Sequence, residues 1–404
     1  MDPMQQSTSS GEVAAPGELG AWCTDSGAGV TWLRLGPERR AENAAELDAL
    51  LADLSRVGDG ASRPAWLGMI SYDAARVFEP AMEDSSLAAS VSRRAREDRG
   101  WPLAIFRPVL GIVDAPGADE SFHVGAVRSD SGEESYVEGV RRALAYIHAG
   151  DVYQVNLAHR LVAPFAGSAR AFFVALAQNA RPWHGAFLES SCGTIASASP
   201  ELFLAYDASD RTLRTRPMKG TRPTSQEAHQ DLEVSEKDRA ELAMIVDLMR
   251  NDLGRICEIG SVCVEVAREI ESHRSGVLQA TATVRGRLSR GLGFADVIRR
   301  TFPPGSVTGA PKVRAMQIID ELEPVRRGPY CGSMVLLRAD GSAELSVAIR
   351  TALIGPENDA DRRLDYSVGA GIVADSCPQT EWQETLAKSS ALRAACAGSA
   401  AARS

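Results

Sequence analysis

Ser333-Met334-Val335-Leu336-Leu337 and Ala343-Glu344-Leu345-Ser346-Val347-Ala348-Ile349-Arg350 decide the fold class. Both are apolar runs of strand character, and only Arg338 to Ser342 separate them. That gap cannot hold the helix needed for a crossover between parallel strands, so an antiparallel pair is expected. Strand character recurs at Phe187–Leu204, Leu213–Met218 and Leu364–Val373, and the run that opens at Ala343 is read as continuing to Leu353. Helical periodicity marks Glu236–Cys257, Gly293–Thr301, Lys312–Leu322 and Thr380–Ala395. Most strand pairs lack a helical crossover, which predicts an antiparallel α+β protein.

Outward from this region the pattern loosens. Trp22 to Val127 alternates short apolar runs (Val30–Leu35, Trp66–Tyr72, Leu103–Val113) with polar stretches and carries one helical pattern at Ala41–Leu54. A second helical pattern, Glu133–Ala149, opens the motif-dense remainder. Residues 1–18, rich in Ser, Gly, Ala and Pro, read as a mobile tail, 19–130 as an N-terminal strand-rich region, 131–396 as the motif-bearing domain and 397–404 as a second tail. Asp84–Gly100, polar and without period, reads as a long surface loop.

Of 404 residues, 44% are hydrophobic and 24% charged, enough apolar surface for a large core. Lys and Arg number 44 against 53 Asp and Glu, a net charge of −9, which argues against general nucleic-acid binding. An acidic chain that handles an anion must gather positive charge locally, in a few basic side chains, a metal ion or backbone amides. Seven cysteines without a C-x-x-C pattern argue against disulfides and structural zinc, and Cys192 reads as a core cysteine. With no apolar stretch long enough to span a bilayer and no leader-like character in Met1–Ser10, a cytoplasmic protein is expected.

Two helices offer carboxylates. Asp238 and Glu241 lie three apart in the first, and Glu381, Glu384 and Lys388 share a face of the second; taken alone, both are ordinary solvated stripes. The second helix follows Gly369-Ala370-Gly371-Ile372-Val373-Ala374-Asp375-Ser376, whose glycines can turn backbone N–H groups toward an anion. One carboxylate from each helix, with water and substrate completing the shell, is how magnesium is usually held. Arg350, at the end of its strand, can fork onto a carboxylate or make a structural ion pair. Lys219, in Arg216-Pro217-Met218-Lys219-Gly220-Thr221, becomes a nucleophile only if burial or a nearby cation keeps it neutral.

These residues fall in ordered segments that resemble the chorismate-utilising enzymes, the family of anthranilate synthase component I, aminodeoxychorismate synthase component I and the isochorismate and salicylate synthases. The resemblance covers about residues 134 to 393 and includes Gly150–Leu157, Ser199–Phe203, Pro217–Thr221, Lys237–Glu241, Arg250–Gly254, Gly305–Lys312, Tyr330–Gly332, Ala348–Thr351, Gly369–Val373 and Glu381–Leu386. It implies two strand-rich, mainly antiparallel halves packed around a central cleft with helices outside, and a chorismate-binding catalytic domain at 131–396. Isochorismate and salicylate synthases carry a lysine where this chain has Gln154, because a base must activate water. Ammonia needs no such base, so Gln154 points to the aminating branches.

Anthranilate synthases typically have alanine where this chain has Lys219, and aminodeoxychorismate synthases lysine. The resemblance therefore implies an amino transfer that yields 4-amino-4-deoxychorismate, the precursor of 4-aminobenzoate used for folate or a secondary metabolite. Lys219 would add to C2 of chorismate, and Glu201 would protonate the departing C4 hydroxyl. Glu241 and Glu384 are implied as magnesium ligands, with Glu381 helping through water. Ser306, Tyr330, Arg350, Gly369 and Gly371 are implied at the enolpyruvyl carboxylate, and Lys388 at the ring carboxylate. No glutamine amidotransferase segment is recognisable, so a separate subunit is expected to deliver ammonia. Many relatives have histidine where Gln279 falls, with His273 nearby but out of register, which raises a non-catalytic chorismate-binding subunit as an alternative. Anthranilate synthase component I is the nearer one.

Overall fold

In a computed structural model, which describes residues 18–23, 29–56, 60–82, 100–116, 120–273 and 277–401, the strand expected at Ala343–Leu353 proves to be two strands lying in different sheets. The tail at 1–17 and nearly all of the 84–100 stretch lie outside the described residues. Strands in the first third are β1 (Leu19–Cys23), β2 (Val30–Leu35), β3 (Arg39–Ala41), β4 (Pro64–Ile70), β5 (Ala104–Val113), β6 (Phe122–Val124) and β7 (Arg128–Ser129). Then come β8 (Gln154–Gly167), β9 (Ala186–Ser190), β10 (Gly193–Ser197), β11 (Leu202–Asp207), β12 (Thr212–Arg216), β13 (Met218–Pro223), β14 (Cys263–His273) and β15 (Val277–Arg287). The last are β16 (Gly309–Ala310), β17 (Ser333–Arg338), β18 (Ala343–Val347), β19 (Thr351–Ile354) and β20 (Arg363–Ile372). Helices are α1 (Ala44–Leu54), α2 (Ala75–Phe78), α3 (Gly132–His148), α4 (Ala169–Ala180), α5 (Gln226–Val234), α6 (Glu236–Gly254), α7 (Phe294–Thr301), α8 (Lys312–Leu322), α9 (Pro378–Lys388) and α10 (Ser390–Ala401).

Every strand pairing among the described residues is antiparallel. One sheet runs β5–β2–β1–β9–β10–β19–β20–β8. The other runs β3–β5–β4–β17–β18–β11–β12–β15–β14. The chain passes between sheets along β5, whose first half pairs with β3 and β4 and whose second half pairs with β2. It also crosses from β10 to β11 through 198–201 and from β18 to β19 through 348–350. These last two crossings lie side by side: Ala198 N–H donates to Arg350 O (3.0 Å) and Val347 N–H to Glu201 O (3.0 Å). Arg350 turns the second corner at φ +53°, a left-handed conformation that L-residues seldom adopt. This is why the expected strand breaks.

The helices cover the outside. The stripe Leu242, Ile245, Val246, Met249 and Leu253 of α6 is buried as its spacing requires, and Ser235 caps the helix by accepting from Asp238 N–H (3.2 Å). The helix expected at Thr380–Ala395 is two, α9 and α10, parted at Ser389. Pro378 starts α9, where a missing N–H costs nothing. Strands β8, β14 and β15 and helices α4 and α5 have no counterpart among the expected elements. Cys192 is not in the core: it is half-exposed in the turn between β9 and β10, beside Arg40.

Lys312 opens α8 with its ammonium buried, donating to Asp252 on α6 (2.6 Å), Thr301 O (3.0 Å) and Pro303 O (3.1 Å), so all three protons are used. Asp252→Ala leaves that charge without its counter-ion and is expected to cost about 3–5 kcal/mol, read as a lowered denaturation midpoint. The double variant Asp252→Leu/Lys312→Met, which removes both charges, is expected to unfold at a higher midpoint than Asp252→Ala.

Candidate active site

Between the sheet crossing, β13, β20 and helices α6 and α9 lies a cavity of about 620 Å³, and all the residues expected at the site line it. Glu201 and Arg350 come from the paired crossings, Lys219 from β13, Glu241 from α6, Ser306 from a 3-10 turn (Gly305–Val307), Tyr330 from a loop, Gly369 and Gly371 from β20, and Glu381, Glu384 and Lys388 from α9.

Glu201 is 4% exposed. Burial pushes its carboxyl up to about 7, against the opposing pull of the Ser306 hydroxyl that hydrogen-bonds it and of the Lys219 and Lys388 charges. Such a group holds a proton near neutrality and can hand it on. The Lys219 side chain is 14% exposed, with Nζ 3.8 Å from Glu241 Oε2. Burial lowers its basicity, Glu241 opposes this and Lys388 adds to it; the net shift is downward, toward the neutral amine. The burial condition set by the sequence is therefore met.

Local backbone features place this lysine. β13 slips register against β15 between Lys219 and Thr221, and the residue between them, Gly220, sits at φ +66°, where a Cβ would stand 2.8 Å from Asp238 Oδ1. Gly371 supplies the facing wall. A Cβ there would stand 3.2 Å from Lys219 Nζ and 2.5 Å from Gln154 Nε2, so a larger residue would push the tips of these side chains aside. Gln154 is fully buried with both amide atoms unpartnered.

The acidic helix faces are not the solvated stripes that their composition alone suggests. Asp238 is buried against Arg222 (3.0 Å), while Glu241, 16% exposed, turns to the cavity with Lys237 3.9 Å from its Oε1. Glu384 pairs with Lys388 (2.8 Å), whose Nζ also donates to Gly369 O (2.9 Å). Partial burial works to raise the Glu384 carboxyl, but Lys388, with Lys219 and Lys237 behind it, brings it below its ordinary value. Glu381 is buried and accepts from Ser376 Oγ (2.6 Å). Among the described residues no group of three or more His, Cys, Asp or Glu side chains is gathered tightly enough to grip a metal alone. Glu241 and Glu384, oxygen donors from two helices on one cavity, fit a magnesium ion that takes its other ligands from water and substrate. Glu381, occupied by Ser376, fits a water-mediated place.

At the other end Arg350 has no carboxylate partner among the described residues, so the structural ion pair is not formed and its guanidinium is available to an anion. Tyr330 is buried; burial holds its phenol well above the ordinary value, leaving a neutral O–H. Sequence reasoning misses what steadies this end. Arg327, buried on Glu323 (2.7 Å), donates to Val307 O (2.8 Å) and Asn156 O (2.8 Å), and Asn156 Nδ2 donates to Ser306 O (3.0 Å). Those partners are 150 or more residues apart, apart from the Glu323–Arg327 and Arg327–Val307 links, and no local signal joins them. Gln279 is buried and lines the cavity with its Oε1 unpartnered; His273 packs on Trp183 (4.6 Å between ring centroids) and does not line it.

Residues 23–394 match the chorismate binding enzyme family. Aminodeoxychorismate synthase component 1 of Klebsiella aerogenes is 40% identical over 345 residues, 80% of this chain and 75% of that protein. Anthranilate synthase component 1 of Streptomyces coelicolor is 42% identical over 327 residues, 78% of this chain and 61% of that protein. The crystal structure of anthranilate synthase component I from Streptococcus pneumoniae matches with a TM-score of 0.75 at 25% identity, covering 96% of this chain and 95% of that one. The chain belongs to the chorismate binding enzyme family, and relatives of both aminating kinds stand equally near.

Gly371→Ala is expected to displace the Gln154 amide and crowd the Lys219 amine while leaving the circular dichroism spectrum unchanged. Turnover of chorismate should fall on the order of a hundredfold, the usual cost of misplacing a reacting group by about 1 Å.

Proposed function

We propose that the chain converts chorismate and ammonia to 4-amino-4-deoxychorismate, with the ammonia supplied by a separate glutamine amidotransferase. The observation that carries this reading is Lys219: a mostly buried amine of lowered basicity, facing the cavity that also holds the proton-bearing Glu201. Both relatives described above are named component 1, which supports a partner subunit.

Chorismate is a dianion, and the cavity offers separate places for its two carboxylates. Arg350, the Tyr330 hydroxyl, Ser306 and the N–H groups of Gly369 and Gly371 would take the enolpyruvyl carboxylate, and Lys388 the ring carboxylate. Magnesium bound between Glu241 and Glu384 would polarise the ring carboxylate and make C2 and C4 easier to attack. Lys219 Nζ would then form a bond to C2 as both ring double bonds shift, C1=C2 to C1=C6 and C5=C6 to C4=C5, and the C4–O bond breaks, the hydroxyl leaving as water with the Glu201 proton. Ammonia would add at C4, both ring double bonds would shift back, and the C2–N bond would break to return the lysine. The surplus proton of the incoming ammonia would restore Glu201. The enolpyruvyl ether survives the sequence. Gln154, an amide beside the lysine, supplies no base for water.

A second reading, anthranilate synthase component I, is favoured by the Streptomyces coelicolor relative. Incubation with chorismate, magnesium and ammonium separates the two: the proposal expects a product whose mass retains the enolpyruvyl group, whereas fluorescent anthranilate as the direct product overturns it. Lys219→Ala is expected to lose most amination at C4 and to divert residual turnover toward anthranilate; unchanged product and rate would remove Lys219 from the role of nucleophile.

The acid–base limb follows from Glu201. Its acid form is the active one, and its proton is lost as pH rises through about 7, so kcat/KM should fall above that pH. In Glu201→Gln that limb should be absent and the rate reduced by about 10²–10⁴-fold.

A further inference from the structure

Against α9 and outside the cavity lining, a histidine with no place in the steps above is locked at both nitrogens. His159 lies on β8 opposite Val368 of β20 and is 2% exposed. Its ring packs at a tilt against Trp382 (4.5 Å between centroids, 32° between planes) and meets Tyr136 of α3 edge-on (5.1 Å). Nε2 lies 2.8 Å from Thr385 Oγ1, and Nδ1 lies 3.1 Å from Ser129 Oγ. Trp382 and Thr385 both belong to α9, the helix that carries Glu381, Glu384 and Lys388.

The hydroxyls assign the proton. Thr385 Oγ1 donates to Trp382 O (2.7 Å), so its one proton is spent and it offers the ring only a lone pair. Nε2 must therefore be the N–H. Ser129 Oγ accepts from Gly132 N–H (3.1 Å), which leaves its own proton for Nδ1. A directed chain thus runs from the start of α3 through Ser129 and the imidazole to the middle of α9. Burial brings the ring's pKa down to about 4, so the imidazole is neutral throughout the ordinary pH range and the chain keeps its direction. Thr385 is four residues from Glu381 and next to Glu384, so a rotation of α9 that broke the Nε2 contact would turn both carboxylates.

We propose that His159 is a positioning residue: as the Nε2–H tautomer, held by Ser129 and Thr385, it sets the rotation of α9 and so the direction in which Glu381, Glu384 and Lys388 meet the cavity. This rests on the reading of Glu241 and Glu384 as a magnesium pair. The groups that orient a metal's ligands commonly affect affinity or activity by about 10- to 100-fold.

The full-length chain tests it in two ways. A ¹⁵N-histidine correlation spectrum at pH 7 is expected to show His159 as the neutral Nε2–H form; an Nδ1–H form or an imidazolium overturns the proposal without any variant. Magnesium titrated calorimetrically into substrate-free protein is expected to bind about tenfold or more weakly in His159→Phe, which keeps a ring against Trp382 but has no donor. His159→Gln, whose amide can both donate to Thr385 and accept from Ser129, should return affinity to within about threefold of the unaltered protein. Equal magnesium affinity in all three proteins, at matched thermal midpoints, overturns the proposal. If the unaltered protein binds no magnesium, the metal reading fails instead, and the spectrum still decides the tautomer. Should His159→Phe not fold, Thr385→Val, which removes the acceptor at nearly constant volume, takes its place with the same expected loss.

Discussion

Two strand crossings that share hydrogen bonds hold the geometry of the cavity. Where β10 passes into β11 and β18 into β19, the backbone leaves one sheet for the other, and the pair is stitched by Ala198 to Arg350 and Val347 to Glu201. Each crossing delivers one functional side chain, an acid from the first and a guanidinium from the second. A site carried on loops would have to order itself when substrate arrives. Here the separation of Glu201 and Arg350 is set by ladder hydrogen bonds on either side, Ser197 with Thr351 and Leu202 with Ser346. The left-handed conformation of Arg350 costs of order 1–3 kcal/mol and persists because both sheets determine it.

Charge is distributed in the same spirit. A chain of net charge −9 brings Lys219, Lys237, Lys388 and Arg350 to one cavity and opposes them with Glu241, Glu384 and Glu381. Lys388 is held by Glu384, and Lys219 and Lys237 stand within 4 Å of Glu241, while Arg350 has no carboxylate among the described residues. The two ends therefore differ in kind. At one end cations and anions already balance, so an arriving carboxylate must compete or bring its own cation; at the other a free guanidinium waits. That asymmetry gives a dianion a preferred orientation before any chemistry occurs.

Much of the architecture was legible from local pattern, and the failures share a cause. Helix α8 begins and ends where its period says, at Lys312 and Leu322, and the α6 stripe is buried as read. Strand β8 escaped notice because it is covered on both faces and yet carries Asn156, His159 and Arg160, which break any apolar run. Each is satisfied by a distant partner, Ser306 O, Thr385 and Asp130, the second of them 226 residues away. The β14–β15 hairpin carries alternating valines at Val264 and Val266, but register shifts after each of them break the period. The corner at Arg350 and the break at Ser389 are invisible to periodicity, since both depend on what the flanking residues pack against. In the site, residue types were readable where one motif carries them; the Arg327–Glu323 support was not, because it binds segments that sequence separates.

The pairing of Gln154 with Lys219 follows from the same electrostatics. Both side chains reach within 3.2 Å of one point above Gly371, in a region where the Gln154 amide finds no hydrogen-bond partner. Leaving a buried polar group unmatched costs about 1–3 kcal/mol, so its presence asks for a reason beyond packing. A lysine at 154, the residue that water activation demands, would set a second ammonium against Lys219 in a medium of low dielectric, where two charges about 4 Å apart interact by about 4 kcal/mol at an effective dielectric of 20. One of the two would have to remain neutral, and the base and the nucleophile would compete for that state. A neutral amide avoids the conflict and leaves the amine lowered by burial and by the Lys388 charge. A second lysine at 154 would thus compete with Lys219 for the neutral state, and on the function proposed above the Gln154–Lys219 pairing is the one that suits ammonia.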